Sequence, residues 1–335
     1  MSSGLSRLFA RKRKPGAGEK RVVVFDLDGV LATRDIALDL FSSIPKGVSA
    51  REWNALNPKQ RENASWGPFF RKSSDEIARA VTRGEPFKGK PSYAGQTLAY
   101  VMNHALANGA RISVNDLHRI AHGAKVMPGA KKAISDLKKD PNVELFVLTT
   151  TYRPAANVIA DKLGIPRERV IGTELRVENG LVTGVNGPAR GGIHKAEAVE
   201  ELSKRLGVPI NKFTVVGDSI TDKDMVERVA RERGLAISFN ANKDLLAKNP
   251  TVVVAGKSLR RVSTLVRAFA ERGEEGVERV VKRNALLRRL VIPRPFLKVH
   301  MFKGAGAGPA EAERAAKASE KYRRLTRKAK YARLR

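Results

Sequence analysis

Residues 22–31 read Val-Val-Val-Phe-Asp-Leu-Asp-Gly-Val-Leu. Four apolar residues in a row, three of them β-branched, match a strand buried on both faces of a sheet rather than a half-exposed one. Asp26 and Asp28 stand just past its end, and Gly29 lets the chain turn there. In an open α/β sheet the ligand crevice lies outside the carboxyl ends of the strands, so both aspartates are expected to project into it. Two carboxylates one residue apart repel each other unless a cation sits between them. A hard divalent ion, Mg²⁺, takes oxygen ligands and keeps positions open for a phosphate and water. Taken alone, the same stretch also reads as a turn whose aspartates cap the next helix.

Downstream, strand and helix alternate from Val126. Pro128 and Gly129 open a helix through Leu137, Val143 to Leu148 is an apolar strand, and Ala155 to Leu163 is a helix ending at Gly164. Glu174 to Val177 and Leu181 to Thr183 flank an Asn179-Gly180 turn and predict a small antiparallel hairpin. A helix over Lys195 to Leu206 and strands at Phe213 to Val216, Ala236 to Ser238 and Val252 to Val254 complete the pattern. Strands separated by helices imply right-handed crossovers, hence an α/β fold: a Rossmann-like parallel sheet with helices on both faces.

Between the first strand and Val126 the character changes to helical spacing: Ile36 to Phe41, Ile77 to Val81, Leu98 to Ala105 and Leu117 to Ala121. Breaks at Ile44-Pro45-Lys46-Gly47, Gly84-Glu85-Pro86 and Gly89-Lys90-Pro91 separate these helices. The expected organisation is a disordered basic arm over 1–21, a catalytic core made of 22–32 and 126–257, a helical cap over 33–125, and a basic helical extension over 258–335.

The chain of 335 residues has no cysteine, which excludes disulfides and cysteine-based zinc or redox sites and fits a cytoplasmic location. No run of apolar residues reaches a spanning length, so no transmembrane segment is expected. The net charge of +30 is concentrated at the ends: 258–335 carry a net +15 and 1–21 a net +6. Such tails suit an anionic partner, either nucleic acid or an anionic membrane surface to which the protein would be peripheral. Val277, Val280, Val281, Leu286, Leu287, Leu290, Val291 and Ile292 alternate with arginine and lysine, a pattern that fits such a membrane surface or a helix packed on the body. Beyond a Gly/Ala linker at 304–308, a last basic helix is expected.

Three further strand ends or helix starts carry chemistry. Leu148 runs into Thr149-Thr150-Thr151, Lys195 sits at a helix start behind Gly191-Gly192, and Thr214-Val215-Val216-Gly217-Asp218 leads to Asp222. In this order, Asp26-x-Asp28, Thr149, Lys195 and Gly217-Asp218-x-x-x-Asp222 resemble the haloacid dehalogenase superfamily, and within it the phosphoserine phosphatase branch. Met127-Pro128-Gly129, the Leu181-Val182-Thr183-Gly184 hairpin strand, and Thr149-Thr150-Thr151 where that branch has Ser-Gly-Gly add to the likeness.

The resemblance implies a phosphatase acting on a small phosphorylated substrate; the basic tails leave two alternatives, a phosphatase of nucleic-acid- or lipid-borne phosphate and a non-catalytic nucleic-acid- or membrane-binding protein on the same scaffold. Asp26 would be the nucleophile that forms an aspartyl-phosphate, and Asp28 the general acid and then base. Thr149 and Lys195 would clamp the phosphoryl oxygens. Mg²⁺ would be held by Asp26, the Asp28 carbonyl and Asp218, with Asp222 as ligand or support. Asp35, Thr150 and Gly29 are the expected substrate contacts. The branch is expected to use a cap glutamate for the substrate amine and a cap arginine for its carboxylate. Here Asp35 takes roughly the glutamate position, and no arginine lies between Arg83 and Arg111. Without a bidentate carboxylate clamp the preference for an amino-acid phosphate should weaken, so a substrate other than phosphoserine is expected.

Overall fold

The computed structural model describes residues 19–83, 96–186, 193–240, 250–254, 256, 258–283 and 291–293. Most of the basic arm, the breaks at 84–86 and 89–91, Gly191-Gly192 and the chain from 294 onward lie outside the described residues, and with them most of both basic tails.

The quoted stretch becomes β1 (Arg21–Phe25), at the middle of an eight-stranded sheet. Its neighbours, both parallel to it, are β2 (Val143–Tyr152) and β5 (Phe213–Gly217). Beyond β5 lie β6 (Leu235–Phe239), β7 (Val252–Val254) and, antiparallel at the edge, β8 (Val291–Pro293). Beyond β2 lies β3 (Val170–Glu178), which is parallel to β2 and then turns back through Asn179 and Gly180 into antiparallel β4 (Leu181–Asn186). Both turn residues have positive φ, 51° and 78°, as the two-residue hairpin turn seen in the sequence requires.

The lack of alternation in Val22 to Phe25 follows from this central place. Val23 and Phe25 join one core, and Val22 and Val24 join the other. The first core is covered by α7 (Ala130–Leu137), α8 (Arg153–Leu163) and α11 (Val262–Arg283). The second is covered by α9 (Ile193–Leu206) and α10 (Lys223–Arg231). A strand buried on both sides has no polar face to display.

One feature at the ends differs from the sequence expectation, and another bears out one of the two readings given for it. Arg21, placed in the arm, opens β1, and its guanidinium donates to the Ala270 carbonyl at 2.8 Å. Val277 and Val281, read within a membrane-compatible run, are buried in the first core, while Val291 and Ile292 pair with β7. Up to Val281, that run is therefore a helix packed on the body. Pro293 is compatible with a strand here because β8 is an edge.

The insertion after β1 carries α1 (Ile36–Ser42), α2 (Ala50–Ala55), α3 (Pro58–Asn63), α4 (Gly67–Arg83), α5 (Gln96–Ala107) and α6 (Val114–Gly123). Its two stems are stitched together: Thr33 N–H donates to the Lys125 carbonyl at 2.9 Å, and Met127 N–H to the Leu31 carbonyl at 2.7 Å. Helices α2 and α3 are too short to show helical periodicity, yet each starts with a reciprocal capping pair, Ser49 with Glu52 and Asn57 with Gln60.

Lysine 162 of α8 holds α6 to the core. Its ammonium donates to the carbonyls of Ala121, His122 and Ala124 at 3.0, 2.8 and 2.9 Å, at a helix end where carbonyls run short of partners and only Ala121 of the three also accepts a capping amide, that of Ala124. Lys162→Met keeps the stem and removes the charge, and should cost about 1–2 kcal/mol, the lower part of the range for charged hydrogen bonds because the group is partly solvated. Urea unfolding of the two proteins measures it; equal midpoints would show that the three bonds contribute nothing net.

Candidate active site

The ends of β2, β1 and β5 lie side by side, so the residues that follow them converge. Asp26 follows β1 directly, its N–H donating to the Val216 carbonyl at 2.9 Å as the last rung of the β1–β5 ladder. The chain then winds tightly: the N–H groups of Leu31 and Ala32 both reach the Leu27 carbonyl at 2.8 Å, and Gly29 takes φ +79°. A side chain at 29 would be excluded on space as well, because its Cβ would lie 2.1 Å from Asp218 Oδ2. Asp218 thus lies against the Asp26-Leu27-Asp28-Gly29 turn.

Lys195 comes in from the first turn of α9, fully buried. Its ammonium donates to Asp26 Oδ1 at 2.6 Å and to Asp222 Oδ1 at 2.5 Å. The other Asp222 oxygen accepts from Asp218 N–H at 3.0 Å and Ser219 N–H at 3.1 Å. Asp222 therefore fastens the lysine to the loop that carries Asp218. Gly217 allows this approach, since a Cβ there would lie 2.5 Å from that of Asp222. His194, next to the lysine, pairs with Glu197 at 2.9 Å.

The crowding of charge has electrostatic consequences. Burial and the neighbouring Asp222 raise Asp26 to about 7, with Lys195 pulling the other way. Burial, Asp222 and Asp26 push Asp218 well above the usual carboxylate range. Burial, then Asp35 and Asp26, do the same to Asp28. Burial alone would depress the Lys195 ammonium, but Asp222 and Asp26 outweigh it and hold the group above its ordinary value. A pocket with three carboxylates held so far from their solution behaviour is short of positive charge.

Oxygens from Asp26, Asp218 and Asp222 come within 4.8 Å of one another. An all-carboxylate donor set suits a hard divalent cation. Asp26 and Asp218 are the better donors, because both Asp222 oxygens are already engaged by Lys195 and the 218–219 amides.

Asp28 lies near enough to Asp26 for their charges to interact; its Oδ1 accepts the Ile36 N–H at 3.0 Å, and its Oδ2 accepts the hydroxyl of Thr151. β2 runs past the expected end at Leu148 to Tyr152, with a register shift against β3 between these two residues, so Thr149 lies inside it, fully buried, its hydroxyl oxygen accepting from Thr151 N–H at 3.0 Å. The Thr150 carbonyl accepts from the Thr173 hydroxyl at 2.5 Å. Asp35 is the N-cap of α1, its carboxylate accepting from Leu38 N–H at 2.9 Å, on the exposed side of the site.

Two contacts escaped the sequence reading. Thr151 lies two residues after Thr149, hence on the same side of an extended chain, which was the available signal for its hydroxyl. Tyr152, buried, donates its hydroxyl to the Leu98 carbonyl at 3.1 Å and so seats α5 of the insertion over the end of β2. No local pattern connects positions 54 residues apart.

The family model for haloacid dehalogenase-like hydrolases matches residues 23–227. A phosphoserine phosphatase of Archaeoglobus fulgidus is 28% identical over 229 residues, covering 68% of this chain and 54% of that protein. The phosphoserine phosphatase SerB2 of Mycobacterium tuberculosis is 28% identical over 170 residues, 50% of this chain and 37% of its own length. The chain thus spans about half or less of these relatives. Among solved structures, a gene product of Archaeoglobus fulgidus superposes with a TM-score of 0.59 at 22% identity, over 80% of this chain and 88% of that one. A phospho-aspartyl intermediate analogue of phosphoserine phosphatase does so with a TM-score of 0.52 at 20% identity, over 73% and 98%. Likeness at that level of identity speaks for the fold.

Proposed function

The chain belongs to the haloacid dehalogenase-like hydrolases, and from that premise we propose that it is a Mg²⁺-dependent phosphomonoester hydrolase working through an aspartyl-phosphate on Asp26. The observation that carries the proposal is the buried Lys195 ammonium, held between Asp26 and Asp222 beside Asp218 at the carboxyl ends of β1 and β5.

The chemistry divides into two displacements. An Asp26 carboxylate oxygen attacks phosphorus, the bond from phosphorus to the leaving alkoxide breaks, and the alkoxide takes a proton from Asp28. Water then attacks the same phosphorus, returns a proton to Asp28, and the bond between phosphorus and Asp26 breaks, restoring the carboxylate. Asp28 must arrive protonated, and burial beside Asp35 and Asp26 favours that form. Lys195 places a fixed positive charge within reach of the transferring oxygens, and Thr149 stands on the adjacent strand. Asp26 and Asp218, with the Asp28 carbonyl, would hold Mg²⁺, whose charge when bound would let both carboxylates ionise and would neutralise the phosphoryl group. Asp222 orders Lys195 and the 218–219 loop.

The substrate of this reading is a phosphomonoester other than phosphoserine. The relatives named above are phosphoserine phosphatases, but α5 carries no arginine to clamp a carboxylate, and the Asp35 carboxylate that would meet the amine already caps α1. The charge on the two ends favours a second reading of the substrate, in which phosphate is borne by nucleic acid or lipid and the tails supply affinity.

Phosphate release over a panel of phosphoserine, sugar phosphates, nucleotides, a 3′-phosphorylated oligonucleotide and a lipid phosphate tests both. Release is expected with Mg²⁺ and is expected to stop in EDTA. Turnover that survives EDTA would remove the metal from the proposal. A small ester as best substrate supports the first reading; an oligonucleotide whose turnover falls steeply between low and moderate salt supports the second.

A further inference from the structure

The Asp28 carboxylate is gripped from two sides that belong to different parts of the fold. Oδ1 accepts from Ile36 N–H at 3.0 Å, the first residue of α1 in the insertion, and Oδ2 accepts from the Thr151 hydroxyl at the end of β2 in the sheet. Thr151 is 1% exposed, so no bulk water competes for that hydroxyl. It is held in turn: its own N–H donates to the Thr149 hydroxyl oxygen at 3.0 Å, and its β-branched side chain has few rotamers to choose from.

A carboxylate on a short, rotatable stem delivers a proton to one place only if something fixes its plane. One donor would leave it free to swing about that bond, whereas two donors on opposite oxygens define its orientation. We propose that Thr151 is a positioning residue, whose hydroxyl turns the Asp28 carboxylate toward Ile36 and so fixes the direction from which Asp28 serves the leaving-group oxygen. The inference rests on the acid role given to Asp28 above. It links three residues that the functional reading treats separately: Thr149, through the Thr151 amide; Asp28, through the Thr151 hydroxyl; and the insertion, through Ile36.

The test compares Thr151→Val, which keeps the shape and removes the donor, with Thr151→Ser, which keeps the donor, on two substrates in the full chain with Mg²⁺. Ethyl phosphate expels an alkoxide that needs a proton, and p-nitrophenyl phosphate expels a phenolate that leaves without one. In Thr151→Val the loss of kcat/KM is expected to be about tenfold or more greater for ethyl phosphate than for p-nitrophenyl phosphate, with KM little changed, and Thr151→Ser should bring the ethyl phosphate value back to within about threefold of the parent. A loss equal on both substrates, or one that serine does not repair, overturns the proposal. If valine prevents folding, Thr151→Ala against Thr151→Ser gives the same contrast.

Amide exchange at Ile36 supplies a readout that needs no turnover. Its N–H should exchange about threefold faster or more in the valine variant and at the parent rate in the serine variant, because a carboxylate released from Thr151 no longer holds its place as acceptor. Unchanged exchange in the valine variant overturns the proposal even where activity falls. If the parent releases phosphate from neither ester, the phosphatase reading is left to the substrate panel above, and exchange at Ile36 alone decides whether Thr151 orients Asp28.

Discussion

Asp26→Asn is expected to lower phosphate release by at least about 10⁴-fold while leaving the protein folded, the scale of loss seen when a covalent nucleophile is removed. The amide has the size of the carboxylate, and its oxygen can still accept from Lys195 at the 2.6 Å contact, so the frame of the site persists. What disappears is an anionic oxygen able to bond to phosphorus. The stability readout separates this from a folding defect. Asp26 lies at about 7, above its value in an unfolded chain, so the folded protein binds the proton more tightly and loses stability as pH rises from about 4 through 7. An asparagine has no such liability, and in EDTA at pH 8 the variant should melt no lower than the parent. Turnover above about 1% of the parent value would sink the aspartyl-phosphate proposal, since general electrostatic help cannot replace the covalent step.

Lys195→Met should lower stability by about 3–5 kcal/mol at pH 8 in EDTA, because it leaves two buried carboxylates without their common partner. Its pH dependence carries the diagnosis. Lys195 is what lowers Asp26 against burial and Asp222, so without it the Asp26 value rises above about 7. Above that raised value the penalty is fully present; as pH falls through it, Asp26 takes up a proton and the penalty shrinks. Urea midpoints at pH 8 and pH 5.5 should therefore differ between parent and variant by clearly more at pH 8. A loss that does not change with pH would mean that the lysine packs rather than pairs, and one below about 1 kcal/mol would mean that the carboxylates find another partner. Added Mg²⁺ should restore part of the loss at pH 8, since a cation bound to the folded state alone stabilises it.

The legibility of this protein in its sequence varied with the range of the interactions involved. Residues 22–25 betrayed a central strand because burial on both faces removes polar positions, and Asn179-Gly180 betrayed a hairpin because few residues adopt positive φ in succession. Helices α2 and α3 were not read from the sequence, because they are too short for a period to show, although each opens on a capping pair that was the available signal. The edge strand β8 was read with a basic amphipathic run, because three residues beside an edge leave no pattern that distinguishes them.

The candidate site divides in the same way. Asp26, Asp28, Thr149, Lys195, Asp218 and Asp222 could be named from the chain alone, since each follows a strand or opens a helix and the order of the motifs is itself informative. Sequence by itself determined the α/β class, the inserted helices and the candidates for the site, because these depend on periodicity and on turns spanning a few residues. Tertiary structure alone decided what each of those residues does to the others: that Lys195 binds Asp26 and Asp222 across 169 and 27 residues, that Asp222 has both oxygens engaged, and that Thr151 holds Asp28 across 123. Hydrogen bonds and burial act over about 3 Å in space and are blind to distance along the chain, so they exist only once the sheet has brought three strand ends together.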